Sequence, residues 1–265
     1  MSEPSPRFWE VFFEVYEHLP RQGPGNRASA ARALGLCRGL PPSPSVLDLG
    51  CGVGGQTLHL ADLTSGSIVA MDSHAPSIER LRAAATGRGL AERVRPVVGD
   101  MADPGLPPES FDLIWSEGAL YNIGIERALR LCYGLLRAGG YLAFTDAVWR
   151  KENPPPEVKA SFDFDYPGMG WGSEISAAIE RSGFSLVGHF TLPDEAWWGD
   201  FYTPMQARID ELRGKHASDP EALAVLDQLA EEPEMHRRYS EFYAYEFFVA
   251  RRPPAPGSTP GAEAP

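Results

Sequence analysis

Between Val46 and Thr57 the chain reads VLDLGCGVGGQT, a short apolar run with one acid that opens into a glycine-rich turn. Gly50, Gly52 and Gly55 meet the spacing G-x-G-x-x-G, which presents backbone N–H groups and the next helix N-terminus to a ligand. Asp72 closes the following apolar run, where an acid would hold ribose hydroxyls. These features fit a dinucleotide and a phosphate-free nucleoside equally well. Asp48 separates the two. Two residues ahead of the first glycine, its charge would face a bound pyrophosphate, and like charges in a poorly solvated crevice cost energy. The pattern favours a ligand that is cationic there. S-adenosylmethionine carries a sulfonium and an ammonium but no phosphate, and so meets the requirement. In VVGDM, Asp100 is placed to accept from an adenine amino group and Met101 to pack on the ring.

Further along stand residues suited to the other reactant. Glu117 follows the apolar run FDLIWS, where it could orient an amine or the cofactor, or simply favour a helix start. Tyr121 and Asn122 come one turn later, at the carboxyl end of a strand. Asp146 and Trp149 end another strand. FDFDY (162–166), Trp171, Trp197 and Trp198 mix aromatic rings with carboxylates, a lining suited to a cationic or aromatic ligand, or else a small core of their own. NPPP (153–156) reads as a stiff loop, and the six histidines show no ligand spacing, so no metal site is expected.

The elements that must position these groups alternate. Helices are expected over 7–19 and 27–38, a strand over 45–49, a helix over 56–63, a strand over 67–72, and a helix with Pro76 in its first turn. Strands follow over 93–100 and 111–116, then a helix over 126–137 capped by Gly139–Gly140, and a strand over 141–149. Beyond residue 150 come a Pro- and aromatic-rich connection with one short helix, a helix over 173–182 and a strand over 184–192. Residues 203–241 read as helical with Pro220 and Pro233 as interruptions, 243–252 as a last strand, and 253–265 as a disordered tail. Alternation of this kind means βαβ units, an α/β fold and a mostly parallel sheet covered on both faces.

At 265 residues, the chain has room for one large domain over 1–252, with cap elements over 1–40, 150–172 and 194–241. Its 24 basic and 36 acidic side chains give a net charge of −12, against a nucleic-acid or anionic-membrane partner. Three scattered cysteines without C-x-x-C fit reduced thiols in a cytoplasmic protein, and no apolar run is long enough to span a membrane. A small-molecule partner is expected, and a homodimer is compatible with the sequence.

The segments DLGCGVG (48–54), Asp72, GD (99–100), FDLIWSEGAL (111–120) and LLRAGGYLAFTD (135–146) together resemble the class I S-adenosylmethionine-dependent methyltransferases, in that family's order and spacing over residues 45–192. By motif the chain is most similar to the methyltransferases of ubiquinone and menaquinone synthesis and to sarcosine-type N-methyltransferases. The resemblance implies a Rossmann-like seven-stranded sheet of order 3-2-1-4-5-7-6, its last strand antiparallel. A helical N-terminal lid and a helical insertion between the last two strands would complete the fold. It implies that Gly50 and Gly52 approach the methionine part, Asp72 the ribose, Asp100 and Met101 the adenine, with Ser116 and Glu117 beside the sulfonium. Asp48, Cys51, Gln56, Thr57, Ser73 and Gly99 complete the expected cofactor-binding set. Glu117 and Tyr121 are the expected catalytic residues, and Tyr121, Asn122, Asp146, Trp149 and Trp171 the expected substrate-binding ones. The N-terminal helix would close as a lid, with Arg21 in reach of the cofactor's carboxylate.

Methyl transfer from a sulfonium is an in-line displacement, in which alignment contributes up to roughly 7–11 kcal/mol. A neutral amine acceptor needs no strong base, whereas a phenol, alcohol or acidic carbon benefits from one. The alternatives are a non-catalytic S-adenosylmethionine-binding protein, an NAD-dependent oxidoreductase, disfavoured by Asp48, and an RNA or protein methyltransferase, disfavoured by the acidic balance.

Overall fold

The computed structural model describes residues 4–255, except for the side chains of Phe164 and Asp165; most of the tail expected over 253–265 lies outside it. Seven strands form one sheet in the order β3-β2-β1-β4-β5-β7-β6. They are β1 (Ser45–Leu49), β2 (Ser67–Asp72), β3 (Val94–Val98), β4 (Phe111–Glu117), β5 (Leu136–Trp149), β6 (Ser185–Thr191) and β7 (Tyr243–Arg251). The first five run parallel, and β7 is inserted antiparallel between β5 and β6. The expected strand order holds.

Alternate residues of the central strands feed two cores. Val46, Leu113, Trp115 and Ala143 face α2 (Arg27–Leu36), α3 (Gly55–Leu63) and α4 (Ala75–Gly87). Leu47, Leu49, Ile114 and Phe144 face α5 (Ile125–Leu135) and α7 (Gly172–Arg181). Strands buried on both faces read as continuous apolar runs. That is why SVLDL and FDLIWS were recognisable as strands without alternation.

A third core lies above the carboxyl ends of the strands. It joins α1 (Pro6–Tyr16), α6 (Pro156–Asp165), α8 (Glu195–Trp197) with the π-helical turn after it, α9 (Thr203–Lys215) and α10 (Pro220–Tyr239). Ser5 caps α1 by accepting from the Phe8 N–H at 3.1 Å. Several boundaries differ from expectation. The helix expected to run to Arg137 ends at Leu135, and Gly139–Gly140 belong to β5, because Leu136 is already extended and pairs with Phe111. Pro233 sits inside α10 without ending it. Its lost hydrogen bond and ring clash cost about 3 kcal/mol, offset by buried Leu226, Leu229 and His236 on either side.

Candidate active site

The turn after β1 hangs on β2. The Gly50 and Cys51 N–H groups both donate to the Met71 carbonyl, at 2.9 and 3.0 Å. Gly50 and Gly52 adopt φ of +70° and +51°, a region where only glycine is unstrained. A methyl group on Gly50 would overlap Ala119 Cβ, and one on Gly55 would overlap Arg21 and the Pro20 carbonyl. Asp72 knits the two loops together: Oδ2 accepts from the Gly52 N–H and Oδ1 from the His74 N–H, each at 2.9 Å. Gly99 donates its N–H to the Asp72 carbonyl at 3.0 Å. Ser73 and Asp100 are exposed at the same rim, and Met101 lies against Gly50.

Asp48 departs from the expectation. Its carboxyl does not face the crevice but is fully buried beneath the turn. It accepts from Thr57 Oγ1 at 2.6 Å and from Gln56 Nε2 at 3.4 Å. Burial above all, and the nearby Glu117 charge, push it up to about 7 against the lowering effect of the Thr57 hydroxyl. Asp48, Gln56 and Thr57 thus pin the first turn of α3 to β1. Ser116 is likewise structural, its buried Oγ donating to the Leu49 carbonyl at 2.8 Å.

The carboxylate beside the turn is that of Glu117, the last residue of β4, whose side chain is 1% exposed. Oε1 accepts from Trp115 Nε1 and Oε2 from Arg21 Nη2, both at 2.7 Å. It is therefore half of a buried ion pair, rather than the start of a helix. Arg21 belongs to a strap, residues 20–25, laid across the glycine turn. Gln22 Oε1 accepts from the Val53 N–H at 3.1 Å, and the Gly25 N–H donates to the Ala196 carbonyl at 2.8 Å. Arg21 Nη1 is buried with no hydrogen-bond partner among the described residues. Below the strap α1 is fastened to the loop after β2: Phe13 stacks on His74 with centroids 4.1 Å apart, and Glu17 Oε1 lies 2.7 Å from His74 Nε2.

The residues expected to bind substrate fall into two groups. Tyr121 and Asn122 lie on a 3-10 turn, Leu120–Ile123, and the Tyr121 ring is 4.7 Å from that of Tyr166. Tyr166 donates its hydroxyl to Asp146 Oδ2 at 3.0 Å, and the Ala147 N–H donates to Oδ1 at 2.9 Å. Asp146 is 1% exposed. Burial pushes its carboxyl up to about 7, although both hydrogen bonds pull the other way. Asn122 is exposed and donates to the Ala119 carbonyl. Trp149 and Trp171 instead meet around a separate cavity of about 380 Å³ that includes Lys151 and Lys159. Trp197 and Trp198 are elsewhere again, packed around the buried His236. Of FDFDY, Phe164 and Asp165 lie outside the described side chains. Sequence reasoning missed Gln22, Trp115 and His74; the spacing of two that puts Trp115 on one strand face with Glu117 could have found it, whereas no local spacing links Gln22 to the turn.

Residues 47–144 match the family described as a methyltransferase domain. The chain is 26% identical over 193 residues to a sterol 24-C-methyltransferase of Pneumocystis carinii, covering 68% of this chain and 51% of that protein. It is 30% identical over 139 residues to a sarcosine/dimethylglycine N-methyltransferase of Halorhodospira halochloris, covering 52% and 50%. The chain thus spans about half the length of these two relatives. A SAM-dependent methyltransferase from Geobacter sulfurreducens, solved with S-adenosyl-L-homocysteine, superposes with a TM-score of 0.77 at 22% identity, covering 91% of this chain and 97% of that one. A methyltransferase-domain match thus covers the central strands of the chain, and the strand order is shared with the fold of solved methyltransferases.

Proposed function

We propose that this chain transfers a methyl group from S-adenosylmethionine to a small-molecule acceptor. One observation carries the reading: a guanidinium nitrogen, Arg21 Nη1, is buried over the glycine turn with no partner among the described residues. An unpaired buried donor is costly, and a carboxylate at the turn would satisfy it. The cofactor's methionine end supplies such a carboxylate beside an ammonium that Glu117 would offset. In this reading Asp72 would accept from the ribose hydroxyls, Asp100 and Met101 would meet the adenine, and Gly50 and Gly52 would keep the backbone of the turn close to the methionine part. When bound, the cofactor supplies an activated methyl group on sulfur. The protein's part is to align and to exclude water, and the strap and α1 are placed to do both.

A crevice roofed by its own N-terminal segment suits a small acceptor better than a polymer. The cap elements over 1–40, 150–172 and 194–241 are proposed to enclose that acceptor. No helix among the described residues is long and apolar enough to cross a membrane. Cys37, Cys51 and Cys132 are buried and unpaired, which favours a cytoplasmic setting. Incubation with methyl-labelled S-adenosylmethionine and a cell metabolite extract tests the reading. Label in small molecules is expected; label confined to macromolecules would refute it.

A further inference from the structure

We infer that Asp146 and Tyr166 form the proton-accepting pair of the site, so that the acceptor is a molecule whose nucleophilic atom still carries a proton. A weakly acidic hydroxyl or carbon fits this class; a tertiary amine or a thioether does not. The inference rests on the methyl-transfer reading above and adds the acceptor's class to it.

The argument is one of position. Gly50 lies against Ala119, two residues before Tyr121, and the Tyr121 ring lies against Tyr166. A chain of contacts thus links the glycine turn to Asp146 by way of two phenol rings. Asp146 lies one residue beyond Thr145, the last residue of β5 paired with β4, whose partner there is Glu117. Each Asp146 oxygen has one donor, Tyr166 Oη or the Ala147 N–H, and among the described residues no cation is bonded to either. Glu246 of β7 stands opposite in register and is bonded to His189 of β6 at 3.0 Å. A carboxyl so placed takes up a proton near neutral pH, where an ordinary aspartate would not.

In the transfer, the acceptor's X–H bond breaks and its proton passes to the Tyr166 phenol oxygen as the Tyr166 proton moves to Asp146 Oδ2. The electron pair left on X forms the new bond to the methyl carbon, and sulfur keeps the pair of the bond that breaks. Charge balances: one carboxylate and one sulfonium are consumed, and the products are neutral. Tyr166 touches the acceptor in this scheme, and Asp146 acts through it.

The first readout needs no cofactor: NMR titration of the Asp146 carboxyl in aspartate-labelled protein. A midpoint near 7 is expected, moving upward in Tyr166→Phe because a donor to the charged form is lost. A midpoint near 4, or none of that movement, overturns the proposal. The second readout sorts labelled products from the metabolite extract. Ethers or C-methyl products are expected, with a rate that rises with pH through about 7 and falls about 100-fold in Asp146→Asn. Quaternary ammonium or sulfonium products overturn it, as does an unchanged pH profile in Asp146→Asn. So does an absence of labelled product from protein that binds S-adenosylhomocysteine. Loss of all S-adenosylhomocysteine binding in the unmodified chain would instead refute the reading underneath. Thermal melts of both variants separate misfolding from a chemical loss.

Discussion

The glycine turn and the aromatic cap above it meet at the strap, yet different forces hold them. In the turn, backbone N–H groups of Gly50, Cys51 and Gly52 are each given an acceptor on β2, as is that of His74 in the loop beside it, and shape is set at Gly50 and Gly52 by a positive φ that suits only glycine. In the cap, Tyr16, Trp197, Phe201, Tyr202 and Leu226 are buried against one another, and the stabilisation comes from apolar area. A turn of the first kind tolerates almost no side-chain change but depends little on distant packing. A cap of the second kind tolerates volume-conserving change but is lost when a large ring or branch is removed. The Arg21–Glu117 pair joins the two.

The largest effect is expected at that joint. Glu117→Gln leaves Arg21 charged, buried and without its counter-charge, which costs about 3–5 kcal/mol in chemical denaturation. The double change Arg21→Met with Glu117→Leu should recover most of that loss while abolishing S-adenosylhomocysteine binding. Recovery of binding as well would mean that Arg21 does not hold the ligand.

Within the cap, Leu226→Ala removes a fully buried side chain of α10 and should cost about 2–5 kcal/mol. If cap and sheet form one cooperative unit, a single melting transition moves down. A new low-temperature transition would show that the cap unfolds by itself.

In the turn, Gly50→Ala forces a non-glycine residue to φ of +70° and into Ala119, for about 1–3 kcal/mol. Ala119→Gly in the same chain should relieve the overlap but not the backbone conformation. Stability measurements on the pair apportion the two.

The smallest effect is on the pH dependence of stability. Burial lifts Asp48, under the turn, to about 7. Between the ordinary carboxylate value of about 4 and that value, the folded chain holds a proton that the unfolded chain has released, so this group's contribution falls as pH rises. His59 and His236 are lowered by burial and pull the opposite way. The test is therefore a difference: Asp48→Asn should gain on the unmodified chain by at least about 1 kcal/mol as pH rises from 4 to 7. A difference that does not vary with pH would contradict the raised carboxyl.

The turn was legible in the sequence and the cap was not, for the same physical reason. Gly50, Gly52, Gly55 and Asp72 act through local backbone geometry, so their spacing carries their role. Glu117 finds its partner 96 residues away in a strap that reads only as a turn, RQGPGN. Tyr166 reaches Asp146 from the end of α6, and Trp197 stacks on His236 across the insertion. Neither pairing leaves a periodic trace. Asp48 was legible as important but misplaced: a strand of five residues fixes which face a side chain takes only once the sheet is assembled.

Titration calorimetry of the unmodified chain with S-adenosylhomocysteine and with NAD tests the central claim most directly. Saturable one-to-one binding of S-adenosylhomocysteine, lost in the Arg21→Met and Glu117→Leu double variant, with no heat from NAD, is the predicted result. Binding of NAD without binding of S-adenosylhomocysteine would contradict it.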